Sequence, residues 1–409
     1  MMISKPVNDT LSMIGNTPLL QVCKLDTGPC ELFLKLEYQN PGGSIKDRIA
    51  AQMIQAAEQE GQIKPGDLLV EATAGNTGLG LALVAKQKGY RLRIVMPDKM
   101  SQEKVFNLKA MGADVQMTRS DVGKGHADYY QDKAERIAKE EQGFFVNQFA
   151  NPNNWQAHYD TTAPEIWQQL DGKVDAFVCG VGSGGTLTGV GRFLKERQNS
   201  IQIILADPKG SILKHYVDTG ELMAAGSWLV EGIGEDFIPP ICEIDLVDTA
   251  YEVSDAESFA TCRQLLKQQG IMGGSSTGTL LYAALQYCRA QTTKKRVVTL
   301  VPDSGNKYLS KMYNDFWMQD QGFTQRQTAG DISDLIARHH RDHATVIVSP
   351  QESLLTAFSR MKLYDVSQLP VMDNDKIVGI IDESDILFAV QKNQEEFSRS
   401  VAEAMTSRL

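Results

Sequence analysis

Asp67-Leu68-Leu69-Val70-Glu71-Ala72-Thr73-Ala74-Gly75-Asn76-Thr77-Gly78 decides the fold class. Asp67–Glu71 reads as a strand. A turn of small and hydroxyl residues follows, and an alanine- and leucine-rich helix runs from Leu79 to Lys88. The same beat continues on both sides. Leu32–Leu36 is strand-like, and Asp47–Gln59 carries Ile49, Met53, Ile54 and Ala57 at helical spacing before Gly61 and Pro65. Arg93–Pro97 is the next strand and Gln102–Met111 the next helix; Val174–Gly180, Gln202–Ala206 and Arg296–Pro302 extend the series. Strands alternating with helices of about ten residues imply an α/β protein with parallel sheets covered on both faces.

The chain has 409 residues, more than one ordinary core, so two or three domains are expected. The polar stretch Gln319–Thr328 reads as a boundary, with a first domain over 1–320 and a linker over 321–331. After it the units shorten: strand Ala344–Val348, helix Ser353–Met361, strands Gln368–Met372 and Lys376–Ile381 joined by an Asp373-Asn374-Asp375 turn, and helix Ser384–Val390. Residues 332–409 are thus a separate small α/β domain. Hydrophobic residues at 42% and charged residues at 22% fit a packed soluble protein. A formal net charge of −10 without a basic stretch argues against nucleic acid or an anionic membrane as partner. No apolar run approaches ~18 residues, and Met1–Pro6 lacks a signal-peptide core, so a cytoplasmic location is expected. Six scattered cysteines without a C-x-x-C pair read as reduced, mostly buried thiols. His339, His340 and His343 cluster without cysteine or acidic ligands at metal spacing, so no metal is expected.

Four segments carry chemistry. Gly43-Ser44-Ile45-Lys46-Asp47-Arg48 puts a lysine behind two glycines at a helix start, where Ser44 serves as a cap. Gly182-Ser183-Gly184-Gly185-Thr186 follows the apolar run Ala176–Cys179 and precedes a helix-like stretch, a loop of N–H groups suited to phosphate. Thr73–Gly78 has the same build and suits a carboxylate. Val301-Pro302-Asp303-Ser304-Gly305 stands at a strand end, where α/β proteins place ligand groups. Each alone also reads as a solvated lysine, a tight turn or an N-cap. Together, a lysine amine and a phosphate cradle are what an enzyme needs to hold pyridoxal 5'-phosphate.

With Ile14-Gly15-Asn16-Thr17-Pro18-Leu19, these segments closely resemble the fold-type II pyridoxal-phosphate enzymes of β-replacement, over residues 8–320. Met96–Ser101, Ala157–Ala163 and Glu231–Pro239 are most similar to the bacterial cystathionine β-synthases, and residues 331–391 resemble one repeat of the CBS-domain pair appended to them. The resemblance implies a tryptophan synthase β-like fold with two parallel-sheet subdomains, one of them mobile over about 45–150, and a homodimer. It implies that L-serine and L-homocysteine are joined into L-cystathionine. The roles it implies are these: Lys46 would carry the cofactor and shuttle the Cα proton; Asn76 would bond the phenolic oxygen; Gly182, Ser183, Gly184, Gly185 and Thr186 would hold the phosphate; Ser304 would face the ring nitrogen. Thr73, Ala74, Gly75, Thr77 and Gln148 hold the substrate carboxylate. Gly232 lies in the entrance segment Glu231–Asp236, where Glu235 meets the ammonium of homocysteine.

The sequence departs from the pattern at Ala74, where many relatives carry Ser, and at Phe149, where mammalian synthases carry Tyr and cysteine synthases Phe. Cysteine synthesis from O-acetylserine and sulfide is therefore the nearest alternative, and a non-catalytic nucleotide-sensing scaffold the alternative of another class. The short segment ahead of the catalytic domain implies no haem. Val401–Thr406 reads as the start of a truncated second repeat. Asp382 stands where nucleotide-binding repeats often carry Thr, so no strong adenosyl ligand is expected, although Asp385 suits a ribose hydroxyl.

Overall fold

The computed structural model describes residues 6–73, 75–98, 102–123, 125–324, 345–364, 366–391 and 394–407. Ala74, Lys99–Ser101, the linker from residue 325 onward, Ala344 and the three clustered histidines lie outside the described residues. The chain divides into two compact units, Met1–Trp317 and Met318–Leu409.

Two sheets organise the first unit. One has the order β1-β2-β10-β7-β8-β9, formed by β1 (Leu19–Gln21), β2 (Glu31–Lys35), β7 (Ala176–Cys179), β8 (Gln202–Pro208), β9 (Thr249–Val253) and β10 (Arg296–Leu300). Only the β1/β2 pair is antiparallel. The other sheet, β5-β4-β3-β6, is wholly parallel: β3 (Leu68–Ala72), β4 (Arg91–Pro97), β5 (Asp114–Thr118) and β6 (Phe144–Phe145). Its central strands are buried on both faces, the condition for parallel sheets. Leu69, Ile94 and Met96 pack with α1 (Lys46–Gln59) and α2 (Asn76–Lys88) through Ile49, Met53, Ile54, Leu81 and Val84. The alternate residues Leu68, Val70, Ala72 and Val95 meet Ala134 and Ile137 of the Tyr130–Glu140 helix.

Helix α2 begins at Asn76, three residues before the expected Leu79, because Gly75 takes the N-cap position and the Gly78 N–H already bonds the Gly75 carbonyl. Gly78 and Gly80 sit inside the helix at a propensity cost that close approach explains. A Cβ on Gly80 would lie 2.9 Å from the Lys46 carbonyl oxygen. α2 thus rests against the very start of α1.

In the second unit β11 (Gln368–Asp373) and β12 (Lys376–Asp382) pair antiparallel. Asn374 and Asp375 both have positive φ, 47° and 64°, as a tight hairpin turn demands. The helices Leu354–Tyr364 and Glu383–Val390 cover this hairpin around Val348, Leu354, Met361, Val371 and Ile386. One expectation fails here. Residues 345–348 form no ladder strand; Val348 makes a single bridge to Val371. In the Val401–Thr406 segment Val401 is fully buried in the same core, and the Thr406 backbone exchanges hydrogen bonds with Ile380 on β12.

Candidate active site

Carboxyl ends of parallel strands converge on one cavity with about 570 Å³ of atom-free space, its mouth included. The turn after β2 delivers Lys46, that after β7 delivers Gly182–Thr186, that after β10 delivers Asp303, and that after β3 in the other sheet delivers Asn76. Ser44 Oγ accepts the Lys46 N–H at 3.2 Å, but Ile45 and not Ser44 stands at the N-cap of α1. The Lys46 ammonium has no hydrogen-bond or ion-pair partner among the described residues. Burial pulls its pKa below the usual lysine value, against the charges of Asp303 and Glu235. The helix it opens is anchored by Arg48, whose guanidinium meets Glu37 and Glu165, each at 2.7 Å, while Lys35 bonds Glu165 at 2.6 Å.

In the Gly182–Thr186 loop glycine is a steric necessity. Gly184 has φ +88°, and a Cβ there would run into Cys242; one on Gly185 would run into Asn154, and one on Gly182 would lie 2.5 Å from the Gly232 carbonyl oxygen. Asn154 Nδ2 braces the loop by donating to Ser183 Oγ (2.9 Å) and to the Gln148 carbonyl (2.7 Å). The N–H groups of Gly184, Gly185 and Thr186 have no acceptor among the described residues, and they open the Gly185–Arg197 helix, whose dipole favours an anion. Thr186 Oγ1 lies 3.3 Å from Nε2 of His158, a buried imidazole that burial keeps neutral.

The expected carboxylate loop is built differently. Thr73 Oγ1 accepts the Gly75 N–H, and a Cβ on Gly75 would meet nothing within 4 Å. Thr77 Oγ1 and Gln148 Oε1 pair at 2.6 Å, and Gln148 Nε2 reaches Glu71, whose burial pushes its carboxyl up to about 8. Thr73, Gly75, Thr77 and Gln148 are thus contiguous, beside the cavity rather than in its lining.

Two expected positions differ in detail. Ser304 is not in the lining; its Oγ accepts the Asn306 N–H at 3.3 Å, and its neighbour Asp303 occupies the wall. Asp303 Oδ2 accepts from Asn76 Nδ2 (2.8 Å) and Tyr308 OH (2.9 Å), and Oδ1 is buried without a partner. Glu235 is not a solvated loop residue. Its Oε1 lies 3.9 Å from where a Gly182 Cβ would stand, and burial, with Asp236 beside it, pushes its carboxyl up to about 9. Gly232 lines the cavity with Glu231, which is paired to Lys104 and, at 2.6 Å, to Lys311. Sequence reading left Asp303, Asn154, Lys307 and the Lys104–Glu231–Lys311 set without roles. A buried aspartate between proline and serine carries no local signal, and the others depend on contacts remote in sequence. Among the described residues no group of three or more metal-binding side chains assembles, and no helix is long and apolar enough to cross a membrane.

A partnerless lysine facing a cradle of partnerless N–H groups fits an aldehyde-bearing phosphate. The chain belongs to the pyridoxal-phosphate dependent enzymes: residues 10–303 match that family, and residues 332–392 match the CBS domain. It is 42% identical over 326 residues to cystathionine beta-synthase of Apis mellifera, covering 79% of this chain and 64% of that protein. The Dictyostelium discoideum cystathionine beta-synthase is 38% identical over 381 residues, 91% of this chain and 76% of that protein. A Staphylococcus aureus cysteine synthase is 42% identical over 313 residues, 76% of this chain and 97% of that protein. The chain spans somewhat less than two thirds of the length of its animal relatives. A hydrogen sulfide-producing enzyme from Fusobacterium nucleatum superimposes with a TM-score of 0.68 at 39% identity, over 74% of this chain and all of that one.

Proposed function

We propose that the protein joins L-serine and L-homocysteine into L-cystathionine by β-replacement, as a cytoplasmic homodimer. The observation that carries the reading is the Lys46 ammonium, without a partner, in one cavity with the open N–H groups of Gly184–Thr186. When bound, pyridoxal 5'-phosphate supplies an aldehyde for an amine and a ring that stabilises negative charge at the adjoining carbon. Lys46, its pKa lowered by burial, is placed to take the substrate Cα proton and to return one to the departing hydroxyl. Hydroxide is a poor leaving group, so the second transfer matters; each such transfer is typically worth about 10²–10⁴-fold. Gly182–Thr186 hold the phosphate, and Asn76 donates to the phenolic oxygen. Ser304 stands beside the wall rather than in it; turned to the ring nitrogen, its neutral hydroxyl would not retain a proton there as a carboxylate does, and this would favour loss of the β-substituent over transamination. Thr73–Thr77 and Gln148 take the α-carboxylate; Gly75, with open space before it, lets the substrate approach the backbone.

Glu235 supports homocysteine as second substrate. An arriving ammonium would meet a carboxyl beside Gly182 of the lining, and a charge-assisted bond would restore its ionised form. Cysteine synthesis is the second reading, favoured by Phe149, which packs on Phe237 with ring centroids 5.6 Å apart and carries no hydroxyl. A steady-state assay with serine or O-acetylserine, crossed with homocysteine or sulfide, separates them. Highest kcat/KM for serine with homocysteine supports the first reading, and highest for O-acetylserine with sulfide overturns it. A protein that stays colourless after cofactor addition would leave only the non-catalytic scaffold.

A further inference from the structure

Lys307 has no role in the chemistry above, yet its side chain touches two of the segments that build the cavity. It sits in the short helical turn Gly305–Tyr308, directly after Ser304. Its Nζ donates to Asn76 Oδ1 at 2.6 Å and lies 3.4 Å from the Gly43 carbonyl oxygen, in the loop that leads to Lys46. Asn76 Nδ2 in turn donates to Asp303 Oδ2 at 2.8 Å. Asp303 and Asp47 act on the ammonium through space, but neither forms an ion pair with it among the described residues.

A carboxamide is nearly symmetric in shape, so packing alone does not choose which end is oxygen; hydrogen-bond partners choose. An ammonium has three donors and no acceptor. Facing Asn76, it accepts only the orientation with Oδ1 toward itself. Asp303, an acceptor on the opposite side, requires the same orientation. The nitrogen is thereby directed toward Asp303, itself a lining residue of the cavity, and one of its two N–H bonds has no acceptor among the described residues. Without Lys307 only the bond from Nδ2 to Asp303 holds the amide, and Oδ1 has no other donor among the described residues.

We propose that Lys307 is a positioning residue that locks the Asn76 amide with its nitrogen toward the cavity, so that a donor and not an acceptor meets the ionised phenolic oxygen of the cofactor. The inference rests on the role given to Asn76 above. A donor there stabilises the ionised oxygen, so losing it weakens cofactor binding and raises the pH at which that oxygen deprotonates.

The test uses the full chain, stripped of cofactor and titrated with pyridoxal 5'-phosphate. It reads the dissociation constant and the pH midpoint between the two absorption bands of the bound cofactor. Lys307→Met is expected to loosen the cofactor five- to twenty-fold and to move the midpoint upward. Lys307→Arg, which keeps the donor, is expected to return both to within about three-fold and a few tenths of a pH unit of the parent. In an Asn76→Ala background Lys307→Met is expected to add less than two-fold, because the lock has nothing left to hold. A Lys307→Met protein with the parent's midpoint and affinity overturns the proposal. So does an equal change in both backgrounds, which would mark a through-space charge effect, and so does an arginine variant no better than methionine. Should Lys307→Met fail to fold, Lys307→Ala carries the same expectations. Asn76→Ala with the parent's midpoint would withdraw the role of Asn76 while leaving the enzyme assignment intact; a parent protein that takes up no cofactor would withdraw the assignment itself.

Discussion

The chain passes from strand to helix through glycine twice at this cavity, and the two passages use glycine for opposite reasons. After β7, every glycine of Gly182–Gly185 is hemmed in: Gly232, Cys242 and Asn154 occupy the space a Cβ would need. After β3, Gly75 faces emptiness. One loop is closed by the protein and presents only its N–H groups, a rigid cradle for an invariant group such as a phosphate. The other leaves open space against the backbone. Glycine in a sequence therefore reports close approach without saying what approaches, protein or ligand.

Substitutions break this comparison in graded ways. Lys46→Ala stands outside both loops and should have the largest effect: turnover and the visible band of the bound cofactor vanish while the circular dichroism of the fold persists. Near-normal activity would sink the mechanism. Gly184→Ala puts a Cβ on a residue with φ +88° and into Cys242, and should cost about 2–4 kcal/mol of apoprotein stability together with cofactor binding. Denaturant unfolding measures it; a midpoint equal to the parent's would show that the loop adapts. Gly75→Ala should do the reverse. With φ −134° and open space, it leaves the apoprotein unchanged or stabilises it by about 0.4–1 kcal/mol. It should still raise KM for serine several-fold, and equal losses of stability at the two glycines would erase the distinction between the loops.

Glu235→Ala should lower kcat/KM for homocysteine about five- to thirty-fold, the equivalent of roughly 1–2 kcal/mol, with little change for serine. Unchanged homocysteine kinetics would remove Glu235 from substrate recognition. The same carboxyl makes a pH prediction. Its pKa is raised from an ordinary 4.5 to about 9 in the folded apoprotein, so the folded state holds a proton that the unfolded state releases between those values. Stability from this site is therefore lost as pH rises from about 4.5 toward 9. Glu235→Gln should melt above the parent at pH 8, with the gap closing toward pH 5; a pH-independent gap would mean that Glu235 does not titrate there.

The smallest effect is expected in the second unit. Asp382 Oδ1 accepts the Asp385 N–H and the Ser384 hydroxyl, and Asp385 Oδ2 accepts the Asp382 N–H, a reciprocal cap on the Glu383–Val390 helix. Both carboxylates are engaged at the helix start and present negative charge to any phosphate. Calorimetry with AMP, ATP and S-adenosylmethionine should show no submillimolar isotherm; a clean one would overturn this expectation.

By itself the sequence determined the alternating strands and helices, the small second unit, the hairpin turn at Asn374–Asp375, and the four segments that meet at the cavity. These are local properties: periodicity, turn chemistry and glycine placement act within a few residues. Only the tertiary structure decided the rest. That Asp303 and not Ser304 stands in the wall, that Glu235 turns inward, that Val401 closes the core of its own unit, and that Asn76 is held between Lys307 and Asp303 are all consequences of contacts remote along the chain. The anchor of α1 is of the same kind. Burial disfavours the Glu165 carboxylate, yet Arg48 and Lys35 hold its pKa down at about 2 across more than a hundred residues of chain. Charge and burial act through space, and no window of sequence contains the partner that decides them.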